Sequence, residues 1–302
     1  MMGNTKIDYL TKSWNPIAMR CTRVSSGCDH CWHLKMAARH AGNSTIRKAI
    51  RDARAGGPPW LNEEELDAPL RWKAAQIVGV QFMGDLFHEQ VSDKFIGLVF
   101  GTIADAHHHT FIVLTKRAER LEEWSRNVSH YPNGDSSKTP MPGWPRNAIV
   151  GVSVEHQQAA HERIPHLLRT PAAKRWISVE PMLGPIDMAP LFDKYGLDVY
   201  GNDGAGVVRL RCEKRHHRVC ADGLGGCGCG DWPAPIDWVV CGGESGPGAR
   251  LIRAEWVRDL RDQCKTANIP FWFKQWGNSR ELDGEGAAID GVVWHQRPGG
   301  KP

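Results

Sequence analysis

The chain has 302 residues, 41% hydrophobic and 24% charged, the make-up of a soluble globular protein able to bury one large core. A net charge of +4 permits a nucleic-acid partner without requiring one. No apolar run approaches the roughly 20 residues of a membrane helix, and the opening stretch MMGNTKIDYLTKSWNP has no apolar signal core, so a cytoplasmic protein without membrane contact is expected. In a reducing compartment, clustered members of the nine cysteines point to metal binding or catalysis rather than to disulfides.

In chain order, SWNPIAMR (13–20) reads as a first strand and leads into CTRVSSGCDHCW, where Cys21, Cys28 and Cys31 are spaced C-x6-C-x2-C. Three thiols this close admit three readings. A structural zinc would need a fourth ligand from His30, His33 or a distant cysteine. Plain packing is poorly suited to so polar a stretch. Three irons of a [4Fe–4S] cluster could be held, leaving the fourth iron open to a small molecule. A helix is expected over 31–41, followed by a polar excursion over 42–70 with no packed-core pattern.

Continuous apolar runs then recur as strands buried on both faces: 76–83, 109–115, 148–154, 175–180, 236–243 and 270–276. Helical patterns separate them at 93–106, 117–127, 156–168 and 254–267. Residues 128–147 read as a loop, 193–235 as an insertion and 278–302 as a loosely ordered tail. Such alternation specifies an α/β protein with a parallel sheet, either a closed or partly closed barrel or an open doubly wound sheet. No strand is followed by the glycine patterns that hold dinucleotides or triphosphates.

Polar residues gather just past the strands. They are Asp85, His88 and Glu89; Thr115, Lys116 and Arg117; Ser153 and Glu155; Ser178 and Glu180; Gly242, Gly243, Glu244 and Ser245; then Lys274 and Gln275. In a barrel this end is the active-site face. Helix caps at Ser153 and Ser178, or structural ion pairs, are the plainer explanation. Cys241 and Cys264 sit in apolar patterns and read as core.

The insertion carries Cys212, Cys220, Cys227 and Cys229 with His216 and His217, among basic residues. A zinc site would supply folding energy that so polar a segment lacks. A second iron–sulfur cluster or unliganded thiols are the alternatives, and the basic side chains suit either phosphate contact or a solvated loop.

The segments SWNPIAMRCTRVSSGCDHCW, FMGDLFHEQV, HTFIVLTKRAERL, IVGVSVEHQQAAHERIPHLLRTPAAKRWISVEPMLGPID, IDWVVCGGESGPGARLIRAEWVRDLRDQC and PFWFKQWG, spread over most of residues 4–277, resemble a phage and bacterial protein family with a radical S-adenosylmethionine (SAM)-like three-cysteine motif. The resemblance implies a partial (β/α) TIM-type barrel of six or seven parallel strands over 1–277, interrupted by 193–235. It implies a [4Fe–4S] cluster on Cys21, Cys28 and Cys31, with SAM on the open iron and cleaved to a 5′-deoxyadenosyl radical by an electron from a reductase. Gly84 and Asp85 stand where that superfamily has its Gly-Gly-Glu stretch, with Ser153 and Glu155 as further SAM contacts. The chain departs from the usual C-x3-C-x2-C spacing, and His30 replaces the aromatic before the third cysteine. Trp32 is therefore expected to pack on the adenine, with His30 as the alternative. Lys116, Glu180, Glu244, Lys274 and Gln275 are candidate substrate or proton-handling groups. The leading substrate is nucleic acid, specifically amino-acid-decorated thymine in phage DNA acted on by an isomerase. RNA or protein substrates are the alternatives, and a non-catalytic, zinc-bound nucleic-acid-binding module is the rival from another class. Oligomeric state does not follow from the sequence.

Overall fold

A computed structural model describes residues 2–127, 144–189, 236–278 and 286–299. In chain order the strands and helices are β1 (Met2–Asn4), β2 (Lys12–Trp14), β3 (Ile17–Ala18), α1 (Trp32–Ala41), α2 (Lys48–Ala55), β4 (Trp60–Leu61), β5 (Ile77–Val80), α3 (Asp93–Asp105), β6 (Thr110–Thr115), α4 (Ala118–Asn127), β7 (Ala148–Ser153), α5 (Gln157–Arg169), β8 (Lys174–Val179), β9 (Trp238–Cys241), α6 (Ala254–Thr266), β10 (Phe271–Phe273), β11 (Ala288–Ile289) and β12 (Val292–Val293). One sheet runs β1-β2-β5-β6-β7-β8-β9-β10. Only β1 is antiparallel; the other seven strands are parallel and curl into a half-barrel, the expected partial β/α barrel.

Strand alternation builds two cores. Phe111 and Val113 of β6 face the helices, while Ile112 faces the concave side with Leu114 packed against that cluster. The concave floor is made of Trp176, Trp238 and Trp272, with Tyr9 edge-on to each at ring distances of 6.1, 5.5 and 6.2 Å. Burying so much ring surface needs matching space. A Cβ at Gly151 would lie 2.3 Å from Trp176 Cδ1, so β7 carries no side chain there. Trp176 and Trp238 donate their indole N–H groups to the carbonyls of Val113 and Gln296, each at 2.9 Å. On the convex side, Val257, Leu260 and Cys264 of α6 are buried at helical spacing, and Cys241 and Cys264 are core residues as expected.

Three expectations need correction. The first strand does not run over 13–20. It stops at Trp14 before Pro16, which has no N–H for the ladder, and Ile17–Ala18 then pairs antiparallel with β4. The excursion over 42–70 is not coreless: α2 and β4 fold back so that Ile50 and Ala53 pack with Ala18, Ile46 and Trp60. Nor is the tail loose over 286–299. The Phe273 N–H donates to the Trp294 carbonyl at 2.7 Å and the Gln296 N–H to the Phe271 carbonyl at 3.1 Å, covering the edge strand β10. β5 ends at Val80 because Gln81 adopts a left-handed φ of 55° and turns its amide to the Ile17 backbone, accepting at 3.0 Å and donating at 2.9 Å.

The cysteines of the insertion, Cys212, Cys220, Cys227 and Cys229, lie outside the described residues, as does most of the 128–147 loop. Among the described residues no helix is long and apolar enough to cross a membrane.

Candidate functional site

The C-terminal ends of the parallel strands open into a cavity of about 260 Å³. Cys21, Cys28 and Cys31 line it, as do Trp32, Gly84, Asp85, Lys116, Ser153, Glu180, Glu244, Lys274 and Gln275. Glu155 stands just outside, fully buried, with a carboxylate oxygen 3.0 Å from the Lys116 ammonium. All candidates on the barrel are thus brought together, although they are up to 254 positions apart in the chain (Cys21 to Gln275).

The cysteine segment leaves β3, makes a single 3₁₀ turn at Ser26–Cys28 and reaches α1 with Cys31 as the residue before its first turn. Cys28 is buried; Cys21 and Cys31 are partly exposed. Two arginines hold the segment from opposite sides. Arg117, just past β6, donates to Thr22 Oγ1 at 2.6 Å and lies 3.8 Å from the Cys21 thiol. Arg250 donates to the Ser26 carbonyl at 2.9 Å and reaches Asp29 at 3.6 Å. Between them Gly27 rests on the buried ion pair: a Cβ there would come within 3.1 Å of both the Glu155 carboxyl and the Lys116 ammonium. Burial and the Asp85 charge push the free Cys21 thiol up to about 12, against the pull of Arg117.

Each strand-end carboxylate is ion-paired, with Arg117 serving both Asp85 and Glu89. Asp85 binds Arg117 at 2.9 Å and also accepts from the Thr115 hydroxyl at 2.8 Å and the Phe87 N–H at 2.9 Å. Glu155 meets Lys116 at 3.0 Å and Arg163 of α5 at 2.9 Å. Burial alone would raise its pKa, but Lys116, then Ser25 and Arg163, outweigh burial and hold it at about 2. Glu180 accepts from Lys274 at 2.8 Å and from the Tyr9 hydroxyl at 3.3 Å. Burial works against the Lys274 charge, and Glu180 more than restores it. Glu244 takes the Arg250 guanidinium in two parallel bonds, at 3.0 and 2.7 Å. Every one of these carboxylates thus meets a cation, with Arg117 and Arg250 each shared between two. Lys116 also donates to Ser153 Oγ at 2.8 Å, so Ser153 serves the site and not a helix cap; α5 is capped by His156.

Gly84 has φ +139°, where a side chain would be strained, and a Cβ would stand 2.8 Å from Met19 Sδ. Its backbone thereby comes to the cavity wall. Trp32 stays 52% exposed at the rim. His33 is buried behind it, and burial, followed by the Arg54 charge, lowers its pKa to about 4, keeping the ring neutral. Arg250, Arg163 and Tyr9 were not singled out from the sequence as site residues. Arg117 was visible in the strand-end TKR, but Arg250 and Tyr9 join the site only through folding.

Among the described residues no group of three or more His, Cys, Asp or Glu converges on a single metal-ion position. All three cysteines do line the cavity. A cubane cluster binds each thiolate at a different iron, so its ligands need not share one point. By type, three thiols suit a cluster's ligand set.

The family described as "Protein of unknown function (DUF5131)" matches residues 4–298. No curated protein and no solved structure matches the chain.

Proposed function

The chain belongs to that family of unknown function, and we propose that it is a radical SAM enzyme whose reaction chamber is the half-barrel cavity. One observation carries the reading: Cys21, Cys28 and Cys31, on the loop system that follows the first parallel strand, open onto the same cavity as the polar groups at the ends of the later strands. Bound there, a [4Fe–4S] cluster and SAM would supply a carbon-centred radical able to take a substrate hydrogen.

The chain's own residues have separable tasks. The three thiolates hold the cluster. The cavity-lining backbone at Gly84 and the hydroxyl of Ser153 are offered to SAM. His30, inside the cavity, takes the ring-packing role, because Trp32 is largely exposed. Asp85 already accepts from Arg117, Thr115 and Phe87, so its task is to aim Arg117 at the cysteine loop. Glu155 holds the Lys116 ammonium beside Ser153 at the cavity. The Glu180–Lys274 pair with Tyr9, also lining the cavity, is the group we assign to orienting substrate or moving a proton. Gln275 lies beside them on the wall.

The test is anaerobic reconstitution with iron and sulfide, reduction in the presence of SAM, and assay for 5′-deoxyadenosine. Product from the native chain and none from Cys28→Ala is the expected result. A colourless protein that retains only zinc and makes no deoxyadenosine would overturn it in favour of a binding module.

A further inference from the structure

Residues 20–54 carry eight Arg or Lys against two carboxylates, Asp29 and Asp52, while the whole chain is only +4. The rest of the chain is therefore net acidic, and positive charge collects on the segment that contains the cysteine loop, α1 and α2. Much of it is spent locally: Arg47 pairs with Glu64 and Lys48 with Asp52. Lys35 and Arg39 of α1 are exposed and pair with no carboxylate among the described residues.

These two cations share a face with the exposed Trp32. At helical spacing, positions 32, 35 and 39 fall within about 60° of one another around the axis. The stripe begins at the cavity, which Trp32 lines, and runs outward along α1. The Trp32 ring meets the buried His33 ring edge-on, at 6.3 Å and 83°. One side of the indole is thus supported while 52% of the residue stays open. An aromatic ring at a cavity mouth with two unpaired cations behind it is the arrangement that stacks a base and follows a phosphate chain. Strand-end carboxylates would oppose a polyanion, but Asp85, Glu155, Glu180 and Glu244 are each ion-paired, although Arg117 also meets Glu89 and Arg250 also meets Asp29. A lipid surface would want a broad apolar face, whereas the large apolar side chains exposed on this segment are only Val24 and Trp32.

We infer that the outer face of α1 is the landing surface for a single-stranded polynucleotide, with phosphates on Lys35 and Arg39 and a base on Trp32 at the entrance to the cavity. Single-stranded form follows from the stacking on Trp32, since a base within a duplex has no free face to offer it without leaving its stack. The inference rests on the reading of that cavity as the reaction chamber and names its substrate class.

The experiment is fluorescence anisotropy of the full-length protein with a labelled oligothymidylate of about 16 nucleotides, the upper end of known site sizes. It is run over a salt series. The double change Lys35→Glu, Arg39→Glu should weaken binding and flatten the log–log salt slope by about 1.4, from roughly 0.7 per phosphate contact on single strands. Trp32→Ala should weaken binding about tenfold and leave the slope unchanged. These three side chains are exposed, so folding is not at stake; circular dichroism checks it. Binding is read without iron, sulfide or SAM, which separates this result from the deoxyadenosine assay: either can fail while the other stands. The inference is overturned if the double charge reversal leaves affinity and slope unchanged, if a duplex of the same length binds as tightly, or if phosphatidylserine vesicles are bound and the oligonucleotide is not.

Discussion

Glu155 shows how one residue ties the convex shell of the barrel to its chamber. It is fully buried, bridges Arg163 of α5 to Lys116 in the cavity, and supports Gly27 of the cysteine loop. Replacing one partner of such a pair leaves buried charge uncompensated, so Glu155→Gln should destabilise the fold by about 3–5 kcal/mol, read by urea denaturation. Because its carboxyl is held at about 2, below the ordinary value of 4.5, its stabilisation is complete above pH 4.5 and is lost as the pH falls towards 2. The melting temperature of the native chain should drop through that window, and Glu155→Gln should show a smaller drop. A drop of equal size in both would place the acid sensitivity elsewhere. Asp85 and Glu244 were legible from their strand-end positions, but their partners were not. Nothing in the local pattern says that Glu244 will share its charge with Arg250, or that Arg250 will also hold the Ser26 carbonyl.

At the scale of elements, the cysteine segment is held from outside itself. It has one 3₁₀ turn and little regular structure, so its shape depends on Arg117 and Arg250. Arg250→Met should speed amide hydrogen exchange over residues 26–31 with less effect on β6 to β8, and lower the iron retained on reconstitution. Unchanged exchange there would remove Arg250 from this role. Within the sheet, Gly151 faces the Trp176 indole with no room for a methyl group. Gly151→Ala should cost about 1–3 kcal/mol, as overpacking in a core usually does, and would shift the near-ultraviolet signal of the tryptophan floor. Strand identities were readable because continuous apolar runs mark strands covered on both faces. Boundaries were less so. β5 ended early where Gln81 turned left-handed, and Pro16 divided the first strand, both local backbone events overridden in the hydrophobic pattern by their apolar neighbours.

At the scale of the molecule, an open half-barrel has two edges to protect. One edge bears β1; the other, β10, is covered by residues 286–299, where His295 stacks on Trp272 at 4.1 Å and Trp294 bonds to the Phe273 backbone. A chain ending at Gly277 should therefore melt lower and scatter light on warming, because β10 would lose its partner and expose ladder groups. Equal stability of the two chains would show that the cover is dispensable.

The α/β class, the run of parallel strands, the core cysteines Cys241 and Cys264, and the end of the sheet where polar residues collect were all legible in the chain. Those follow from periodicity and residue type, which are local. Only the tertiary structure decided that the sheet curls around a tryptophan floor, that each strand-end carboxylate meets a cation, and that residues 286–299 pack on an edge. Those depend on contacts between distant positions such as Tyr9 and Glu180, which no window of neighbouring residues records.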